Sequence, residues 1–482
     1  LDETADRFPN KIALTDGRRT LTFEELRAES RRLASELIRR KIFRQPVAIL
    51  LEQSVESIIC MLGAAYSGNF YTVVDTKMPA PRMKKILDTF EPALIIDKQN
   101  FIELTDGDID DQLLEKTARK INCMDVLYVL FTSGSTGMPK GVTIGQRSVM
   151  EYTEWVTRTF NVDEHDIIGN QAPFDFDVSV KDIYSGLSTG ATIHLIPREY
   201  FSVPVQLMDF LCEREVTICT WAVSALCFVS IMGGLDYRLP ESIRQVIFSG
   251  EIMPVKQLNV WRKHLPNARY VNVYGPTEIT CNCTYHVVDR EFANDEVIPM
   301  GKPFANERVF LLDEHDELVE EPGEVGEICV SGTALGLGYL GDAERTAAAF
   351  VQNPANPRWN ETIYRTGDLA AYDAEGNLVY AGRKDNQIKH LGQRIELGEI
   401  EACVLGVDGV SQACCIYDAR RKKIRLFFAG AAQKEEVMEH LHAHLPSYMM
   451  PNTTRQMDRL PLTKNGKIDR NALAQLKRRR AR

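Results

Sequence analysis

Through the first 280 residues, short runs dominated by Val, Ile, Leu and Phe alternate with longer stretches whose apolar positions repeat at helical spacing. The runs Val47–Leu51, Ala93–Ile96, Val126–Phe131, Thr192–Ile196, Val216–Thr220, Gln245–Phe248 and Tyr270–Val273 show little polar alternation, as strands buried on both faces do. Between them, Ser57–Ala65, Ser148–Phe160, Pro204–Glu213 and Pro254–His264 read as amphipathic helices. Strands each followed by a helix predict layered α/β sheets, largely parallel. Beyond about residue 300 the texture changes, and Pro322-Gly323 and Glu375-Gly376 punctuate short alternating strands, as in a small β-barrel. A third block opens at Gly382, with Gln387–Glu396 extended, Leu397–Leu405 helical, Ile424–Ala429 extended and Lys434–His444 helical. The expected architecture is a large α/β N-terminal region, 1–384, followed by a smaller α+β domain, 385–482. The polar stretch Leu104–Arg119 reads as a surface connection.

Composition narrows the function classes. A chain of 482 residues exceeds what one core organises, and 44% hydrophobic with 26% charged residues is ordinary globular usage. A net charge of −10 argues against a broad nucleic-acid or anionic-membrane surface. The basic run Lys477–Arg482 reads as a solvated tail or linker. The sequence contains no apolar run of the roughly 18 residues a membrane span needs. Leu1-Asp2-Glu3-Thr4 lacks the basic-then-apolar order of a secretion signal, and the absence of an initiator Met points to upstream sequence removed. Eleven cysteines, with Cys281/Cys283 and Cys414/Cys415 not at zinc-site spacing, suggest reduced thiols and a cytoplasmic location.

The chemistry concentrates first in one loop. Directly after the apolar run Tyr128–Phe131 comes Thr132-Ser133-Gly134-Ser135-Thr136-Gly137-Met138-Pro139-Lys140-Gly141. Its glycines, hydroxyls and backbone N–H groups can wrap phosphate oxygens, and Lys140 adds a point charge. The Walker A spacing is missing, and a plain polar turn is the competing reading.

The string FTSGSTGMPKGV resembles the phosphate loop of the adenylate-forming superfamily, which contains acyl-CoA synthetases, luciferases and the adenylation domains of nonribosomal peptide synthetases. Six further motifs follow in order: FDFDVSV (Phe174–Val180), NVYGPTE (Asn272–Glu278), YRTGDL (Tyr364–Leu369), GRKDNQIK (Gly382–Lys389), RIELGEIE (Arg394–Glu401) and NGKIDR (Asn465–Arg470). The resemblance implies activation of a carboxylate by ATP and Mg²⁺ as an acyl adenylate, then transfer to a phosphopantetheine thiol. It assigns Lys467 as the catalytic lysine bridging carboxylate and α-phosphate, and Glu278 as the Mg²⁺ ligand. Thr132, Ser133, Gly134, Ser135, Thr136, Gly137, Lys140, Gly275 and Thr277 would hold phosphate or nucleotide. Tyr274 would pack on adenine, Asn272 meet its amino group, Asp368 accept the ribose hydroxyls, and Arg383 support ribose or phosphate. Asp385 matches the hinge of a mobile C-terminal domain, and the Gly392 segment would line a pantetheine channel.

Asp177 bears on which acid is activated. Amino-acid-activating members of the family carry Asp here to pair with the substrate ammonium, whereas a helix N-cap is the structural alternative. Asn170–Tyr184 also resembles D-alanine–D-alanyl carrier protein ligase, and His390–Glu401 is closer to peptide-synthetase domains. By position, Asp177, Val178, Lys181, Thr220, Ile247, Ser249, Val273, Cys281 and Asn282 would line the substrate pocket. An inward Lys181 would favour an acidic or strongly polar side chain; an outward one would leave room for a small amino acid such as serine. Ser249 stands where the D-alanine ligases tend to have Cys, and Gln146 where many acyl-CoA synthetases have His. An acyl-CoA ligase and a non-catalytic nucleotide-binding module are the alternative functions.

Two other patterns merit note. Gly336-Leu-Gly338-Tyr-Leu-Gly341 satisfies the dinucleotide spacing, but Asp342 and Glu344 place negative charge where pyrophosphate would sit. His440 and His444 share a helix face at i, i+4; no third ligand is evident, so an exposed helix face is the plainer reading.

Overall fold

The computed structural model describes residues 1–134, 137–385, 387–419, 421–463 and 468–476. The chain forms two compact units. One holds Leu1–Thr76, Phe90–Leu130 and Gly141–Lys384; the other holds Lys77–Thr89, Phe131–Lys140 and Asp385–Arg482. The phosphate-loop segment thus groups with the smaller unit. Among the described residues, no helix is long and apolar enough to cross a membrane.

The larger unit contains a nine-stranded sheet whose six central strands run parallel, in the order Arg269–Tyr274, Gln245–Ser249, Ile218–Ala222, Ile167–Asn170, Thr192–Leu195, Ile12–Thr15. Short antiparallel strands close both edges. A second, six-stranded sheet includes Val126–Thr132, Phe70–Val73, Pro46–Leu50 and Leu94–Asp97, and a third, antiparallel sheet is built around Val325–Gly332 and Thr362–Tyr372. Helices cover the parallel strands because those strands are apolar on both faces. Trp221 and Trp261 lie beneath them edge-to-face at 6.3 Å, and each indole N–H donates to a backbone carbonyl, Gly169 and Leu226, at 3.0 Å.

Three local expectations need correction. Gln387–Glu396 is a hairpin, Gln387–His390 paired with Gln393–Glu396, because Leu391 and Gly392 both take left-handed φ (53° and 79°) and turn the chain. The stretch Leu104–Arg119 contains the helix Asp111–Ala118, whose Leu114 is buried and whose first turn is capped by Asp110 accepting from the Leu113 N–H. The 17-residue helix Phe23–Arg39 lies outside the stretches the apolar pattern singles out, although Thr22 and Glu25 form a capping box at its start.

The smaller unit packs the helices Leu397–Leu405 and Lys434–His444 against the three-stranded sheet Val410–Asp418, Lys423–Gly430, Thr453–Met457, around Ile400, Val404, Leu426, Phe428 and Leu441. Arg82 and Glu399 form an ion pair inside it, with side chains 5% and 3% exposed. Burial keeps Glu399 above the usual carboxylate range despite Arg82. Removing one partner strands the other charge, and protonation gives Glu399 a partial escape. Arg82→Met should therefore cost about 3 kcal/mol in urea denaturation, the low end for breaking a buried pair; a loss below about 1 kcal/mol would show the pair contributes no more than a surface one.

Candidate functional site

The parallel strands of the large sheet end together, and candidate pocket residues occupy those ends. Thr220 pairs in register with Ile247, Ser249 follows two residues later on the same face, and Val273 stands on the next strand. Ligands bind at the carboxyl ends of parallel strands in open α/β sheets. Val178, Ile247, Val273 and Cys281 pack in one cluster with Tyr152. Asp177 stands at the N-terminal boundary of the helix Val178–Thr189 but makes no side-chain capping bond, so the capping alternative is not realised. Burial raises the Tyr128, Tyr152 and Cys281 hydroxyls and thiol, Cys281 to about 12, and the nearby Asp177 charge adds to each.

Lys181 turns inward. It is 2% exposed, and its Nζ donates to Asn282 Oδ1 at 3.1 Å. The same oxygen accepts from the Tyr152 hydroxyl at 2.9 Å. An ammonium has three donors, and among the described residues Lys181 has this one hydrogen bond and no ion pair. Its sequence neighbour Asp182 is equally buried, accepting from Asn170 Nδ2 at 2.9 Å, while Gln53 Nε2 holds the Asn170 oxygen at 2.6 Å. Pattern reading did not single out Asp182, Asn170 or Gln53; the paired polar residues in so apolar a stretch were the available signal.

A second group gathers in the same unit. Asp368, 1% exposed, lies directly across the strand pair from Arg383, whose Nη1 donates to Oδ1 at 2.6 Å; Tyr274 donates its hydroxyl to Oδ2 at 2.6 Å. Burial first, and Asp368 second, push the Tyr274 hydroxyl well above its usual range. Each Asp368 oxygen keeps a further lone pair for another donor. Asn272 Nδ2 donates to Pro299 O at 2.8 Å, which fixes the amide and points its role toward the oxygen. Gly275 is required: a Cβ there would lie 2.4 Å from the Asn282 Cα. Thr277 opens a short turn, Thr277–Ile279, holding Glu278, which is 0% exposed and accepts from the Tyr339 hydroxyl at 2.8 Å. Tyr339 belongs to the glycine-spaced motif Gly336–Gly341. That motif is no dinucleotide site: Asp342 caps the following helix by accepting from Arg345 N, and Gly336 lets the backbone approach Glu278.

The loop itself lies in the smaller unit. Thr132 Oγ1 is buried with no hydrogen-bond partner among the described residues, which fits a hydroxyl able to donate to a phosphate oxygen. Gly134 is tight, since a Cβ would meet Met138 O at 2.0 Å. Ser133 donates to Arg394 O at 2.8 Å and accepts from Glu396 N at 3.1 Å, so the Gln387–Glu396 hairpin occupies its hydroxyl here. Gly137 packs toward Ala402, and Lys140 is buried at the start of the strand Lys140–Gly145. Ser135, Thr136 and the catalytic candidate Lys467 lie outside the described residues.

The model of AMP-binding enzymes matches residues 1–340, and that of the AMP-binding enzyme C-terminal domain matches 399–467. The chain belongs to the AMP-binding enzyme family. Zwittermicin A synthase ZmaJ of Bacillus cereus is 30% identical over 98% of this chain and 94% of its own length. Gramicidin S synthase 2 of Brevibacillus brevis is 33% identical over 98% of this chain, which spans 11% of that protein. Gramicidin S synthase 1 is likewise longer, and the chain spans 44% of it. A solved "NRPS protein containing adenylation and PCP domains bound to vinylsulfonamide inhibitor" superposes with TM-score 0.80 at 26% identity, over 98% of this chain and 82% of that one. The family read from the seven motifs, and its layered α/β core with a smaller C-terminal domain, are borne out.

Asp182 makes a testable pH signature for this AMP-binding fold. Burial raises its carboxyl from 3.8 to about 7, outweighing the Asn170 and Thr220 hydrogen bonds and the Lys181 charge. The folded chain therefore keeps a proton that the unfolded chain releases. Stability is full below the unfolded value and falls as pH rises toward the folded one, by on the order of 1 kcal/mol per pH unit. Asp182→Asn should flatten the denaturation midpoint between about pH 4 and pH 7; parallel curves for both proteins would refute the buried proton.

Proposed function

We propose that this chain activates an amino acid with ATP as an aminoacyl adenylate and passes the aminoacyl group to the phosphopantetheine thiol of a carrier protein. Asp177 carries the amino-acid part of the reading: it stands at the N-terminal boundary of the helix Val178–Thr189, near Tyr128, Tyr152 and Cys281, at the motif position where amino-acid-activating relatives carry the Asp that pairs with the substrate ammonium. The carrier part is supported by the solved adenylation–PCP neighbour. A carboxylate is already ionised at pH 7, so the obstacle is repulsion between two anions rather than proton removal. Catalysis is then charge compensation and in-line positioning.

In this reading Thr132, Ser133, Gly134, Ser135, Thr136, Gly137 and Lys140 hold phosphate oxygens. Ser133 must first leave the Arg394 and Glu396 backbone to do so. Asn272 and Tyr274 hold adenine, and Asp368, braced by Arg383, accepts the ribose hydroxyls. Glu278, a hard oxygen donor, would hold Mg²⁺, which when bound would supply charge compensation at the phosphates. Lys467 bridges the two anions, with Asp385 as the hinge between a 1–384 core and a 385–482 lid. Lys467→Ala should lower adenylate formation by roughly 10²–10³-fold or more while leaving ATP binding largely intact; near-normal adenylation by that variant would remove Lys467 from the mechanism.

Lys181 narrows the substrate. Among the described residues its Nζ hydrogen-bonds only to the neutral Asn282 amide oxygen, and a substrate side-chain carboxylate would add a charge-assisted partner. The inward position favours an acidic or strongly polar amino acid over a small apolar one. Lys181→Met should cost the acidic substrate at least about 30-fold in kcat/KM, the scale of losing one partner of a buried charge pair, and should relatively favour its neutral amide. Equal losses for acid and amide would place Lys181 outside substrate recognition.

A further inference from the structure

The helix Leu397–Leu405 lies against the helix Lys434–His444 in the smaller unit. One thiol and two imidazoles meet there. Cys403 Sγ and a ring nitrogen from each of His440 and His444 all lie within 4.8 Å of one another, on half-buried side chains. The two rings stack with centroids 4.0 Å apart and planes 24° from parallel. His444 Nδ1 is 2.8 Å from the His440 carbonyl oxygen. A carbonyl only accepts, so Nδ1 carries the proton and Nε2 presents a bare lone pair. This is the arrangement in which a metal-binding histidine is usually held: one nitrogen donates to backbone and the other faces the ion. The third ligand comes from a different helix and a residue 37 positions earlier, which is why the His440/His444 spacing alone did not reveal a site.

We propose that Cys403, His440 and His444 bind a zinc-class divalent transition ion. One thiolate and two imidazoles suit a borderline-soft ion, with water completing a tetrahedron. Binding displaces the Cys403 thiol proton to solvent and forms an S–metal bond. The donor atoms must draw in to roughly 2.0–2.3 Å from the ion, a movement that half-buried side chains at a helix–helix seam can make. The ion would pin the Leu397–Leu405 helix, one turn from Glu399 and its Arg82 pair, to its neighbour. No step of the adenylation chemistry depends on it, so its failure and that of the proposed function are separable.

The test uses the full chain, stripped with chelator and titrated with Co²⁺, with Zn²⁺ as competitor. One Co²⁺ per chain should bind with thiolate-to-cobalt charge-transfer absorption and the intense visible bands of a four-coordinate site, both erased by Zn²⁺. Cys403→Ser should abolish the charge-transfer band, and His440→Gln or His444→Gln should weaken binding by more than the roughly 10–100-fold cost of losing a mere supporting partner. Cys123→Ser, an exposed thiol elsewhere, should change nothing. A spectrum unaltered by Cys403→Ser, a six-coordinate spectrum, or no stoichiometric binding would overturn the site. Should Cys403→Ser fold poorly, the two histidine variants decide on the same criterion.

Discussion

Charges removed from water constrain this molecule more than any other feature. Glu278, Asp368, Asp182 and Lys181 are all nearly inaccessible, and each costs several kcal/mol unless something answers it. Asp368 is answered twice, by Tyr274 and Arg383, and Glu278 accepts from Tyr339. Asp182 has amide and hydroxyl partners, and burial favours its protonated form. Lys181 has Asn282. The answers differ in kind: Asp368 is held by a guanidinium and a phenol, Glu278 by a phenol, and Lys181 by a neutral amide oxygen. Preorganised polar groups of this kind stabilise bound charge without rearranging when it arrives.

Asp368 is buried on the antiparallel strand Thr362–Tyr372, whereas the framework around Lys181 and Asp182 is the parallel sheet. Its strands run in register, so Thr220, Ile247 and Val271 stand at one level with Ser249 and Val273 two residues further along their strands, and the helix Val178–Thr189 brings Lys181 and Asp182 beside them. Glycine completes the arrangement where chain meets chain, at Gly275 against Asn282 and at Gly336 against Glu278. In the smaller unit the hairpin Gln387–Glu396 holds Ser133 through backbone groups. In the proposed function a phosphate would compete with the hairpin for this hydroxyl, which would couple nucleotide binding to hairpin position through Ser133.

Much of this was legible in the sequence. The helices Pro204–Glu213, Leu397–Leu405 and Lys434–His444 carry the bounds their periodicity gives. Strands buried on both faces, such as Gln245–Ser249, declared themselves through unbroken apolar runs. The hairpin at Leu391-Gly392 did not, because a Leu in the left-handed region is a tertiary outcome with no propensity signal. Long-range partners were equally hidden: Tyr339 sits 61 residues from the Glu278 it supports, inside a motif that suggested a different ligand. The direction of Lys181 was undecidable from sequence, since either face of a helix that is buried nearly all round can take it.

The central claim is that the pocket headed by Asp177 receives an amino acid whose side chain answers Lys181. Amino-acid-dependent ATP–pyrophosphate exchange, run over the proteinogenic amino acids and their enantiomers, tests it most directly. The account predicts the strongest exchange with an amino acid bearing a side-chain carboxylate or a strongly polar group. Strongest exchange with a small apolar amino acid, with the acidic ones inert, would contradict it.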